Sequence, residues 1–142
     1  RAGRIRAKDR INLYLSYLCL AASQNGGKTD VDGASFIGSD GVFNIVTLDQ
    51  DNALKYLEDF VNLYQKGQSQ CLHFYPESAW KWVKTSHTQQ TLNEFIGNDF
   101  KRGEGQEPHI HRVCPDLIEH FVEFSTLAER LLMPLCEMAE GK

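Results

Sequence analysis

Between Lys8 and Ser23 apolar residues recur at helical spacing, at Ile11, Leu15, Leu18 and Ala22, while Leu13, Tyr14, Tyr17 and Leu20 cover the other faces. A segment apolar nearly all round predicts a central, mostly buried helix. Gln24-Asn25-Gly26-Gly27-Lys28 ends it, with a glycine available for the left-handed position past the last turn. Ala34–Gly38 and Val42–Leu48 then read as two β-prone runs joined by Ser39-Asp40-Gly41. Asp-Gly between such runs predicts a hairpin, because the central residues of a type I′ turn need positive φ. Val42–Leu48 alternates imperfectly, as a strand covered on both faces does.

The most heavily anchored stretch runs from Asp49 to Val83. Asp49 or Asp51 caps a second helix, Leu54, Leu57, Val61 and Tyr64 form its inner stripe, and Gly67 closes it after Lys66. Cys71–Tyr75 is extended and apolar. Pro76 suits the first turn of a short helix that sends Ala79, Trp80 and Val83 to the core. Ser86-His87-Thr88-Gln89 has capping-box spacing and opens a helix ending at Gly97. Asn98–Pro108 is a polar loop rich in turn formers, and His109–Cys114 reads as a short strand or simply extended chain. Asp116 caps a last helix whose inner face is Leu117, Phe121, Phe124, Ala128 and Leu131. Pro134 should kink or stop that helix, since its ring clashes with the carbonyl four residues back. Arg1–Lys8 reads as a strand end or a linker. Five helices around one β-hairpin give an α+β fold, mostly helical, in a single domain over residues 1–142.

Composition narrows the class. With 42% hydrophobic and 24% charged residues the chain is globular, and no apolar run approaches the roughly 20 residues a membrane helix needs. The first ten residues are basic without an apolar centre, so they are no signal peptide. The chain opens at Arg1, not at a methionine, directly before a helical pattern, and reads as part of a longer polypeptide. Cys19, Cys71, Cys114 and Cys136 form no C-x-x-C pair and lie in apolar stretches, which predicts buried, reduced thiols. Arg1, Arg4, Arg6, Lys8 and Arg10 stand against Asp9 alone at the start, while the whole chain carries −4. An acidic body argues against a stand-alone nucleic-acid binder, so phosphate contact falls to Arg4, Arg6, Lys101 and Arg102.

Catalytic chemistry is thinly represented. A metal-dependent nuclease needs convergent carboxylates, usually with a lysine, and Asp49 and Asp51, with Glu58, are the best set. The lysine expected two residues beyond a strand carboxylate is absent, and helix capping explains both aspartates. His109-x-His111 on an extended segment with Cys114 nearby could begin a zinc site, and Cys71-x-His73 raises the same question more weakly. Neither has a fourth ligand at a familiar spacing, so neither metal nor cofactor is expected. Arg102-Gly103-Glu104-Gly105 lacks the length and the Lys-Ser/Thr ending of a phosphate loop. It reads as a tight loop with constrained φ or as a flexible connector. Trp80-Lys81-Trp82-Val83-Lys84 mixes aromatics and lysines as single-strand-binding platforms do, but helical alternation places the two tryptophans on different faces. One belongs to the core and the other, beside Tyr75, to a contact surface.

Several stretches, in order, resemble the C-terminal region of the RecC family, the gamma subunits of exodeoxyribonuclease V (the RecBCD helicase–nuclease). They are AKDRINLYLSYLCLAAS with its glycine turn, DNALKYLEDFVNLYQKG followed by PESAWKW, FKRGEG, and the terminal LAERLLMPL. The resemblance implies a domain similar to a PD-(D/E)XK nuclease fold without its catalytic residues. It implies a non-catalytic scaffold in bacterial, cytoplasmic double-strand break repair, with RecB-type and RecD-type partner subunits and DNA handled by the full-length subunit. Tyr75, Trp80, Trp82, Arg102 and Glu104 are then the candidate partner contacts. The alternatives are a metal-dependent nuclease and a generic helical adaptor.

Overall fold

The computed structural model describes residues 3–23 and 32–140, and the expected glycine end of the first helix at 24–28 lies outside them. The chain divides into two compact units, Arg1–Gln65 with Pro134–Lys142, and Lys66–Met133. The α+β reading holds, with helices predominating.

In the first unit, helix α1 runs Ala7–Ala22 and starts where the Arg6 amide donates to Asp9 Oδ2 (2.9 Å), placing an acidic group in the first turn. Ala7, Tyr14, Tyr17, Leu18 and Ala21 are buried, whereas Leu20 faces outward. Strands β1 (Gly33–Gly38) and β2 (Gly41–Val46) pair antiparallel with Phe36 opposite Phe43. The short β3 (Ala139–Glu140) adds to the other edge of β2 opposite Ile45 and Asn44. Alternation on β2 is cleaner than expected: Phe43 and Ile45 are buried, and Val42 is exposed.

The hairpin is present, but its turn is not type I′. Among the described residues neither Ser39 nor Asp40 has positive φ, which falls instead on Gly41 (144°). Asp40 is committed elsewhere: its Oδ1 accepts the Ile5 amide (2.9 Å), while the Ser39 amide donates to Gly3 O (3.0 Å). The segment before α1 thus runs along the hairpin tip as a hydrogen-bonded connector. The Tyr17 hydroxyl accepts the Leu48 amide (2.7 Å), and Gln50 Nε2 donates to Ala22 O (3.0 Å), tying α1 to the entry of helix α2 (Gln50–Gly67).

Helix α2 begins as expected and faces differently. Asp49 Oδ1 accepts the Asn52 amide (3.0 Å), so Asp49 is the cap. Ala53 and Leu63 are the buried residues, and Phe60 packs edge-on to Tyr14 (5.8 Å, 74°). Leu54, Val61 and Tyr64, expected inside, are exposed, Tyr64 by 71%. The helix carries two apolar stripes of equal periodicity, and contact with Tyr14 selects the one containing Phe60.

The second unit opens with helices α3 (Pro76–Thr85) and α4 (Thr88–Ile96). Pro76 takes the first turn of α3. Ser86 does not open a capping box: it adopts the left-handed conformation (φ 48°) that ends α3, and His87 caps α4 through Nδ1 and the Gln90 amide (3.4 Å). Residues 109–114, expected to be extended, are mostly helical, because Pro108 starts helix α5 (Pro108–Val113). Asp116, expected to cap the last helix, stands one residue before the cap position Leu117 of a short 3₁₀ turn, Ile118–His120; its Oδ1 accepts the Ile118 amide (2.9 Å), and the turn leads into helix α6 (Phe121–Met138).

Leu117, Phe124, Ala128 and Leu131 are buried as expected, but Phe121 is only half-buried. Pro134 neither stops nor ends α6, whose residues from Pro134 onward belong to the first unit. Leu131, Leu132, Leu135 and Met138 are all buried, and that burial outweighs the roughly 3 kcal/mol an internal proline costs. Rings knit the second-unit core: Tyr75 to Phe95 (4.9 Å), Phe121 to Phe124 (5.7 Å) and Trp82 to Phe121 (5.2 Å, perpendicular). All four cysteines are free, but only Cys114 is buried; Cys136 is half-buried, and Cys19 and Cys71 are exposed.

Candidate interaction surface

Arg102-Gly103-Glu104-Gly105 is a tight loop held against the start of α3. Glu104 Oε1 accepts the Glu77 amide (3.0 Å), and Oε2 accepts both the Ser78 amide (2.8 Å) and the Ser78 hydroxyl (2.7 Å). A carboxylate thereby satisfies amides that a helix N-terminus leaves without intrahelical partners, in the favourable direction of the helix dipole. The glycines are there for approach. A Cβ on Gly103 would collide with the Phe95 carbonyl oxygen and the Gly97 amide, and one on Gly105 would enter the Phe95 ring. Glu104, a candidate partner contact in the sequence, is turned inward instead.

The same loop displays a residue the polar composition of Asn98–Pro108 concealed. Gly97 turns the chain at φ 80° and bridges to Arg102. Asn98 Oδ1 accepts the amides of Phe100 (2.9 Å) and Lys101 (2.8 Å), which fixes the turn. Phe100 at its tip is 100% exposed, and Ile96, at the end of α4, is 57% exposed. The signal available beforehand was one aromatic among polar neighbours in Asn98-Asp99-Phe100-Lys101.

The other aromatic candidates are distributed differently from the expectation. Tyr75 is 4% exposed and cannot anchor a surface contact; burial pushes its phenol well above the ordinary tyrosine range. Trp80 and Trp82 are both half-buried, so neither is purely core. Trp82 Nε1 donates to Glu129 (2.9 Å), while Lys84 Nζ stands over the Trp80 ring at 5.8 Å.

Of the basic candidates, Arg4 and Arg6 are exposed. Lys101 pairs with Glu94, and Arg102 donates to Gln106 O (2.8 Å) and faces Glu107 (3.6 Å). The carboxylates do not converge. Asp49 is engaged with Asn52, whose amide bond is the main reason its carboxyl lies below the usual range, and Asp51 and Glu58 are exposed along α2. On helix α5 His109 and His111 sit about 200° apart and leave the expected zinc pair divided. Cys114 lies instead with His73 and His120. Burial, then His120, holds the His73 imidazole below its ordinary pKa against the opposing pull of Glu123, and burial pushes the Cys114 thiol up.

The family model of the RecC C-terminal domain matches residues 1–87. The chain belongs to the RecC C-terminal domain family. It is similar to the RecBCD enzyme subunit RecC of Escherichia coli (strain K12), 29% identical over 146 aligned positions covering 88% of this chain. The chain spans about 12% of the length of that relative. The RecC family match takes in α1, the hairpin, α2 and α3, and stops before the Glu104 loop and Phe100. Among the described residues no helix is long and apolar enough to cross a membrane.

Proposed function

We propose that this chain is a non-catalytic scaffolding domain of a RecC-type subunit, acting in double-strand break repair and recombination within a RecBCD-like helicase–nuclease. The match of residues 1–87 to the RecC C-terminal domain carries this reading. The placing of the carboxylates supports it: Asp49 caps α2 and binds Asn52, while Asp51 and Glu58 are exposed along that helix and form no cluster with it among the described residues. The finer assignments, an inactive PD-(D/E)XK-type fold, RecB-type and RecD-type partners, and DNA engaged through the longer subunit, are part of the same proposal. So are its operation in the bacterial cytoplasm and its description as one domain. Docking would use exposed Phe100 and half-buried Trp80 as anchors, with Trp82 and Arg102 at the margin; Arg4 and Arg6 are exposed and available to phosphate.

Affinity capture tests this. The RecC-type subunit carrying this region should retain RecB-type and RecD-type partners, and its Phe100→Ser or Trp80→Ala forms should retain less. Equal capture by a subunit lacking the region refutes the scaffold role. Magnesium-dependent cleavage of linear DNA by the purified chain, lost in Asp49→Ala, would establish a nuclease instead.

A further inference from the structure

Three side chains distant in sequence meet in the second unit. His73 lies on the extended segment before α3, Cys114 just past α5, and His120 at the end of the 3₁₀ turn before α6. One donor atom from each lies within 4.8 Å of the others. His73 and Cys114 are buried and His120 is half-exposed at their edge. The Tyr75 hydroxyl lies 3.2 Å from His73 Nδ1 and fixes that ring, while His73 Nε2 faces Glu123 at 3.9 Å. The Cys114 thiol points a weak donor at Asp116 O (3.6 Å).

We propose that His73, Cys114 and His120 form a binding site for a divalent cation that prefers thiolate and imidazole, of the zinc class. Two imidazoles and one sulfur are the donor set borderline-soft ions select, whereas magnesium and calcium require oxygen. Two buried donors on separate elements, with a tyrosine orienting one ring, resemble the supporting shell of a metal site more than a solvated surface cluster. Three protein donors leave a fourth position for solvent, and Glu123, whose carboxylate lies 3.9 Å from His73 Nε2, is the nearby acidic group.

Binding requires one defined movement. The two imidazoles now stack with centroids 3.8 Å apart and planes 7° from parallel. An imidazole lone pair lies in its ring plane, so two parallel rings cannot both aim at one ion. Ligand atoms around a tetrahedral ion are about 3.5 Å apart, so the set must also contract. His120 is the ring that moves, being half-exposed on a short turn, while burial and Tyr75 hold His73. Cys114 binds as thiolate and releases its proton to solvent.

The test is titration of the reduced, chelator-treated protein with Co²⁺ and Zn²⁺. One equivalent per chain, a thiolate-to-cobalt charge-transfer band, proton release and a Zn²⁺-dependent rise in thermal midpoint are expected. Cys114→Ser should abolish the band, and His120→Asn should weaken binding by at least about 10-fold, while His109→Asn and His111→Asn leave both unchanged. Circular dichroism checks each fold, and should Cys114→Ser unfold, the half-exposed His120→Asn decides. A missing band, a band surviving in folded Cys114→Ser, or unchanged affinity in His120→Asn overturns the site.

Discussion

Replacing Glu104 by alanine removes three hydrogen bonds at once and leaves their donors in place. The Ser78 hydroxyl, completely buried, loses its acceptor, which costs about 1–3 kcal/mol. The amides of Glu77 and Ser78 lose a carboxylate lying along the helix dipole, about 0.3–1 kcal/mol at an exposed end and up to about 2 where partly buried. The two effects overlap, so a total of about 2–4 kcal/mol is expected. With a urea slope of about 1–3 kcal/mol per molar, the midpoint should fall by roughly 1–2 M. Glu104→Gln keeps one acceptor oxygen without the charge and should fall between alanine and the native protein. Ser78→Ala and the Glu104→Ala/Ser78→Ala pair complete a cycle whose coupling should reach about 0.5–3 kcal/mol. Urea denaturation followed by far-ultraviolet dichroism and tryptophan fluorescence measures all four. A Glu104→Ala midpoint within about 0.3 M of native would refute the capping role of the loop.

Other substitutions separate core from margin. Phe95→Ala, in the second-unit core, should cost about 3–5 kcal/mol by denaturant midpoint, whereas Trp80→Ala and Leu57→Ala, both half-buried, should fall nearer 1–2. Gly103→Ala should destabilise by more than the about 1 kcal/mol typical of point substitutions, because the added Cβ meets backbone and not a yielding side chain. The carboxyls of Asp49 and Asp40 are held low chiefly by the amides of Asn52 and Ile5. Their contribution is therefore complete above the unfolded value of 3.8 and lost as pH falls below it; Asp49→Asn should flatten that part of a stability–pH curve.

Punctuation residues made the element ends legible: Asp49, Pro76 and Gly97 act through their own backbone and nearest amides, so local chemistry is sufficient. The facing of α2 was not legible, because Leu54-Leu57-Val61-Tyr64 and Ala53-Phe60-Leu63 satisfy the same helical period. The choice depends on Tyr14, far away in sequence. Pro134 is the converse case, a local stop signal overridden by burial on both sides of it. The site followed the same division. Two glycines around Glu104 fitted a tight loop and a flexible connector equally, and what decides between them, the Ser78 end of α3, is brought to Glu104 only by tertiary structure. Likewise His73, Cys114 and His120 share no motif spacing, whereas the regularly spaced His109-x-His111 is divided between two faces of helix α5.

Glu104 and Phe100 lie on one loop and do different things, which allows stability and docking to be separated. Glu104 points inward and ties the loop to α3; Asn98, Arg102 and Gln106 then hold the turn that displays Phe100 outward. Phe100→Ser removes no buried surface and should change stability by no more than about 0.5 kcal/mol, yet it deletes the most exposed aromatic ring in the second unit. If Phe100 is a docking anchor, this variant loses partner capture at native stability, and adding Glu104→Ala lowers stability without a comparable further loss while the loop remains folded. If capture instead tracks the denaturant midpoint across both variants, the loop matters only for folding, and the docking surface must be sought elsewhere on the domain.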